Sequence, residues 1–236
     1  MAQSQDVPER YQHLVDQGYE FRMGDYINRG WQLFTADPWP LIGFYFLLMF
    51  GSIIVSLIPF VGSIGMMIIS PVLSAGMYIY IDKIAKGEDR SFNDFFSAFN
   101  LLGQLFLGNF IGGMLTMLGV LFFIIPGIYL GVAYALVLPL ITFAGLEFWP
   151  ALETSRKVIT KNWWAFFGFF IVVGFIVVSG ILLLGVGIFA TIPLGTCITY
   201  AAYEAIFGEQ VDPMQSRIDE IGQEIEEIDY RDEDAF

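Results

Sequence analysis

Side-chain catalysis needs a nucleophile with a base beside it, a set of metal ligands, or a loop shaped for phosphate. This chain has few of those parts. Its one histidine, His13, falls in a polar N-terminal segment and is expected to be solvated; its one cysteine, Cys197, stands among Thr196, Ile198 and Thr199 and reads as small packing. No disulfide can form within one chain. With no His/Cys cluster, phosphate-binding glycine loop or nucleophile elbow, the sequence predicts no catalytic residue, no cofactor and no metal. Two carboxylates stand out by position. Asp82 lies eleven residues after Pro71, and Glu204 eleven after Pro193. Both are read as water-exposed acids at a membrane edge, with a sharper alternative: a rim that binds cations or the amine of a lipid headgroup. The remaining chemistry is interfacial. Trp39, Trp163 and Trp164 each follow a polar turn and open an apolar run, and an indole with an apolar ring and one N–H donor settles at headgroup depth. They are read as membrane anchors.

The elements that must hold these residues are set by composition. Hydrophobic residues make up 56% of the chain, aromatics 17% and charged residues only 15%, more apolar surface than a soluble core of this size needs. No Asp, Glu, Lys, Arg or His occurs between Asp37 and Asp82, Asp94 and Glu147, or Lys161 and Glu204, leaving uncharged blocks of 44, 52 and 42 residues. A membrane crossing takes about 20 apolar residues, so each block predicts two helices joined by a turn. Turns are expected at Pro59 with Gly62, Pro126 with Gly127, and Gly185 with Gly187. The predicted class is all-α: a polytopic membrane protein with six transmembrane helices, at about 40–59, 61–81, 105–125, 127–146, 165–184 and 187–207.

Three hairpins suggest repetition. Trp39-Pro-Leu-Ile-Gly43-Phe44 matches Trp164-Ala-Phe-Phe-Gly168-Phe169, with a degenerate copy from Gln104 to Asn109 between them. A short amphipathic stretch precedes each copy: Ile27, Trp31 and Phe34; Phe92, Phe95, Phe96 and Phe99; Trp149, Leu152 and Ile159. Each unit is therefore read as an interfacial helix followed by a hairpin, whose second helix carries a proline (Pro71, Pro139 or Pro193). The glycine pairs Gly108/Gly112 and Gly127/Gly131 have the spacing that lets helices approach closely.

All eleven Lys and Arg residues fall in the four segments that this topology places on one side, which the positive-inside rule makes the cytoplasm, with both termini there. The opening residues lack a basic stretch followed by an apolar one, so the first span is expected to direct insertion. The formal net charge is −13, and residues 204–236 contribute −10 of it from two basic and twelve acidic residues. Such a tail is repelled by an anionic leaflet and is a poor ligand for nucleic acid. Its Met214, Ile218, Ile221, Ile225 and Ile228 form an apolar seam, read either as a solvated helix or as a docking face for a protein partner or a second copy. The organisation is then a polar segment 1–20, a membrane domain 21–208 and an acidic cytoplasmic tail 209–236.

The stretches "GDYINRGWQLF", "IPGIYLGVAYALVLPLI" and "GLEFWPALETSRKVITKNWWAFFGF" resemble an uncharacterised family of bacterial six-helix inner-membrane proteins. That family is related to the membrane domain fused to some glycerophosphoryl diester phosphodiesterases. The resemblance covers about residues 21 to 208. It implies a bacterial cytoplasmic membrane location and a six-helix fold, and it transfers no catalytic residue, because the phosphodiesterase chemistry belongs to a separate soluble domain. The functional expectation is a non-enzymatic membrane scaffold or accessory protein in contact with membrane lipids; the alternative is a carrier for a lipid or an apolar small solute.

Overall fold

A computed structural model describes residues 7–58, 61–182 and 187–208. The acidic tail with its isoleucine seam, Pro59 of the first expected turn and Gly185 of the third lie outside the described residues. Among the described residues every regular element is helical: α1 (Glu9–Asp16), α2 (Met23–Ala36), α3 (Pro38–Ser56), α4 (Val61–Lys86), a 3-10 helix (Phe92–Leu101), α5 (Leu102–Phe122), α6 (Ile124–Ala133), α7 (Val137–Ala144), α8 (Phe148–Lys161), α9 (Trp163–Leu182) and α10 (Ile188–Phe207). Five stretches are long and apolar enough to cross a membrane: Pro38–Val55, Ile64–Lys86, Phe92–Phe122, Ile124–Ala144 and Trp163–Ile181. The sixth expected span, α10, is not among them. It carries Thr191, Thr196, Thr199, Tyr200, Tyr203 and Glu204, and it is buried along most of its second half. A helix enclosed by protein does not need an apolar surface all round.

Local chemistry sets the boundaries. Pro38 occupies the first turn of α3, where a missing N–H costs nothing. Ser91 and Asp94 close a reciprocal cap on the 3-10 helix, with the Ser91 amide donating to Asp94 Oδ2 at 2.7 Å. Gly145, at φ 62°, ends α7 in the left-handed conformation that glycine adopts without a Cβ clash.

One turn and one span differ from expectation. The second hairpin reverses at Phe123, so Pro126 and Gly127 lie in the first turn of α6. The fourth expected span is broken between α6 and α7 at Tyr134–Leu136. Pro139 has no N–H for the Ala135 carbonyl, which removes the helical bond that would have bridged the break. Pro71 and Pro193, by contrast, sit inside continuous helices.

α3 packs on α4, α5 on α6, and α9 on α10. The short helix leading into each hairpin lies on the second arm of another hairpin: the 3-10 helix on α4, α8 on α6 and α7, and α2 on α10. These contacts close a ring. The core sits under them, in Val72–Ile84, Val132–Ala144, Ala151–Ile159 and Leu194–Phe207, whereas the hairpin tips expose large apolar side chains. The N-terminal segment joins this core. Val7, Tyr11 and Leu14 are buried, Tyr11 packs edge-on against Phe207, and the Arg10 guanidinium donates to the Ala144 carbonyl. His13, expected in solvent, is half-buried, with Nε2 shielded and lacking a partner among the described residues.

Candidate functional site, a charged rim over three helix junctions

Ion pairs of Arg29, Lys83, Lys86 and Arg90 gather where the short helices meet the hairpin arms. At the first junction the 3-10 helix crosses α4 so closely that a methyl at Gly76 would lie 1.8 Å from the Phe95 carbonyl oxygen. The Phe95 ring is stacked between Phe44 and Tyr80, with centroids 4.0 and 4.3 Å away. Lys83 Nζ lies 2.9 Å from Asp94 Oδ1 beside this contact. The Tyr80 hydroxyl donates to Asp37 at 2.7 Å, and Arg90 meets the same carboxylate at 3.3 Å.

At the second junction α2 crosses α10, and a methyl at Gly30 would lie 2.5 Å from Ile198 Cα. Arg29 holds Glu204 through two bonds of 3.1 and 3.2 Å. That paired bond raises the Arg29 guanidinium above its ordinary value, against the effect of partial burial. Asp82 stands between the two junctions. It accepts from the Tyr200 hydroxyl at 2.6 Å and pairs with Lys86 at 3.0 Å. The two acids singled out by sequence are thus brought to one end of the bundle, on neighbouring helices, and each meets a cation of the chain itself.

The third junction is built differently. Ser155 of α8 is fully buried and donates to the Ala133 carbonyl at 2.7 Å while accepting from the Leu136 amide at 3.3 Å. One hydroxyl thereby serves both ends of the α6–α7 break. On the same helix Glu153 is forked by Arg156, at 3.1 and 2.6 Å, with Lys157 at 3.8 Å. The bond to Glu153 raises the Arg156 guanidinium well above its ordinary value.

The tryptophans divide. Trp39 and Trp164, in the first turns of α3 and α9, are each 78% exposed and face outward. Trp163 is half-buried: it stacks on Phe167 at 5.1 Å and donates its indole N–H to the Tyr129 carbonyl at 3.4 Å. The expected close-packing glycines work within the chain. Gly108 and Gly112 admit Ile141 and Leu152, and Gly127 meets the Val120 backbone across the second hairpin.

Sequence reasoning missed Ser155 and the crossings at Gly30 and Gly76. An isolated glycine inside a helical pattern was the available signal for the crossings; a serine that caps another helix leaves no local signal. Four polar atoms, Tyr11 Oη, His13 Nε2, Thr154 Oγ1 and Tyr203 Oη, are shielded and lack a partner among the described residues. No group of three or more His, Cys, Asp or Glu side chains is placed to hold a metal among the described residues. Comparison with protein-family models, curated proteins and solved structures gives no match.

Proposed function

We propose that the chain is a multi-pass integral protein of a bacterial cytoplasmic membrane, with both termini cytoplasmic, acting as a scaffold or accessory protein rather than as an enzyme. The observation that carries this reading is the division of the surface. One end holds the ion pairs of Arg29, Lys83, Arg90 and Arg156, and the hairpins leading away from it expose Phe, Ile, Leu and Met with no charged residue. Such a surface fits a bilayer, with Trp39 and Trp164 at the headgroups. Two junctions of the ring are locked by close backbone contacts and ion pairs and the third by the buried Ser155 hydroxyl, which suits a rigid platform better than a moving carrier. The resemblance to six-helix inner-membrane proteins agrees with this location. Crosslinking in native membranes, followed by identification of what is captured, tests the reading: a defined complex at stoichiometric yield is expected. Protein-dependent lipid or solute flux in reconstituted vesicles, with no protein captured, would overturn it in favour of the carrier.

A further inference from the structure

The α5–α6 hairpin qualifies for crossing by length and composition, yet its neighbour α8 sets its depth. α8 runs alongside it over most of its length. The Phe148 amide donates to Gln104 Oε1 at 2.9 Å, Leu152 rests on Gly112, Ser155 bonds Ala133 and Leu136, and the Thr160 and Tyr129 hydroxyls are 2.7 Å apart. α8 is bounded by charges that face outward, Glu147 just before it and Lys161 at its end, and it carries Glu153, Arg156 and Lys157 between them. Charges at hydrocarbon depth cost several kcal/mol each, so no part of α8 can leave the polar boundary. Whatever is paired with it level by level stays at that boundary too.

Only the part of the hairpin beyond Tyr129 is free to enter hydrocarbon. That part is built for it. Phe122, Phe123, Ile124 and Ile125 are 72, 72, 68 and 80% exposed, and Met117 and Leu121 project beside them. Phe123 is the sole non-helical residue of the turn; its amide bonds the Gly119 carbonyl at 2.9 Å, and Pro126 has no N–H to satisfy. Thr116, the nearest hydroxyl on α5, is turned back on the Gly112 carbonyl. From Tyr129 to Phe123 the axis rises about 9 Å, the depth of an interfacial insertion and far short of about 30 Å of hydrocarbon. The first hairpin differs: α3 (Pro38–Ser56) rises about 28 Å beyond the charged end, enough to cross.

Resting on the membrane reading above, we propose that the α5–α6 hairpin is a re-entrant wedge that does not cross. Its Met117–Ile128 tip is seated among the acyl chains of the leaflet on the charged side, while the first hairpin reaches the far face. The occupant of this apolar tip is lipid, because the tip continues the lipid-facing flank and has no charged or polar side chain with which to select a protein.

The test uses single cysteines at Ile58, Met117, Phe123 and Ile125 in the full chain in native membranes, with buried Cys197 as a silent background. Cysteine at 58 should react with an impermeant maleimide from the far face of sealed vesicles. Cysteines at 117, 123 and 125 should stay unreactive to it from either face. A fluorophore attached at those tip positions with a membrane-permeant reagent should be quenched several-fold more by nitroxide near the headgroup end of the acyl chain than by nitroxide at its terminus. Far-face labelling at 123 or 125, or stronger quenching from the bilayer centre, would overturn the wedge while leaving the protein integral. Efficient 125-to-125 crosslinking between two copies would replace lipid by a second chain and overturn the occupant. Three tip positions guard against one variant failing to fold. Release of the whole protein by alkaline carbonate would instead defeat the underlying membrane reading.

Discussion

Two junctions of the ring, the 3-10 helix on α4 and α2 on α10, solve one packing problem with exchanged parts. Counted from the helix proline, closest approach comes at the fifth residue in both: Gly76 after Pro71, and Ile198 after Pro193. In the first the glycine is on the hairpin arm and the bulky residue, Phe95, on the short helix. In the second the glycine, Gly30, is on the short helix and Ile198 on the arm. The adjoining ion pair is exchanged as well, Lys83 of the arm with Asp94 in one and Glu204 of the arm with Arg29 in the other. Backbones can approach so closely when either partner lacks a side chain, and an ion pair is indifferent to which side bears the plus sign. Geometry is therefore shared where residue identity is not.

The glycines offer the most severe way to break this comparison. At Gly76 the obstacle is a carbonyl oxygen and at Gly30 a main-chain Cα, neither of which can swing aside. Gly76→Ala should lose about 3 kcal/mol, the upper end of overpacking costs, and Gly30→Ala about 2 kcal/mol. Gly43 is the control, because no atom lies within 4 Å of the point where an added methyl would stand; there alanine should gain up to about 1 kcal/mol through helix propensity. Denaturation in detergent, followed by tryptophan fluorescence, measures all three. A neutral Gly76→Ala would mean that the first junction is not a close contact.

Next comes the odd junction. Ser155→Ala strands the Ala133 carbonyl and the Leu136 amide in a buried setting and should cost about 1–3 kcal/mol. Hydrogen exchange should speed up at Tyr134–Leu136 and leave Gly76 and Ile198 unaffected. Exchange spreading to all three junctions would show that the ring unfolds as one unit.

The ion pairs sharpen the comparison with a smaller effect. Lys83 and Asp94 are 29 and 14% exposed at their side chains, Arg29 and Glu204 40 and 32%. Solvent screens the second pair more, so Lys83→Gln should cost about 1 kcal/mol and Arg29→Gln less than that. Reversal of this order in the same assay would mean that exposure does not rank the pairs.

The smallest effect is expected outside both junctions. Arg22 bonds the exposed Glu20 at 2.6 Å and holds its carboxyl below the ordinary value. A depressed carboxyl adds stability above its unfolded value and loses it as pH falls through the folded one, so this contribution fades only in acid, below the ordinary carboxylate range. Because the pair is fully exposed, Glu20→Gln at neutral pH should shift the melting temperature barely beyond error, and added salt should erase the shift.

How much was legible follows from how far each feature reaches along the chain. Uncharged blocks, prolines and aromatic junctions are local, and they predicted an all-helical chain with helices able to cross a membrane, three hairpins, and start points close to those of α3, α5 and α9. Trp39 and Trp164 were read by the same local logic as interfacial anchors, and both stand exposed in the first turns of α3 and α9. Trp163 was not separable from its neighbour, because what turns it inward is Tyr129, 34 residues away. The docked α1 was missed for the same reason: Tyr11 and Leu14 are two apolar residues in a polar stretch, and α1 is held by Tyr11 against Phe207 and by Arg10 on the Ala144 carbonyl, both far along the chain.

The sequence by itself determined the solvent, since 44-, 52- and 42-residue uncharged blocks tolerate few environments other than hydrocarbon or protein interior. It also determined where charge is allowed. Tertiary structure alone decided which helix sits on which: that Asp82 and Glu204 meet Lys86 and Arg29, that Ser155 closes the break before Pro139, and that α8 lies along α5 and α6. The reason is physical. Transfer energies are properties of residues and add along a chain, whereas ion pairing, capping and close backbone approach exist only between elements and depend on a few ångströms of placement that no local pattern encodes.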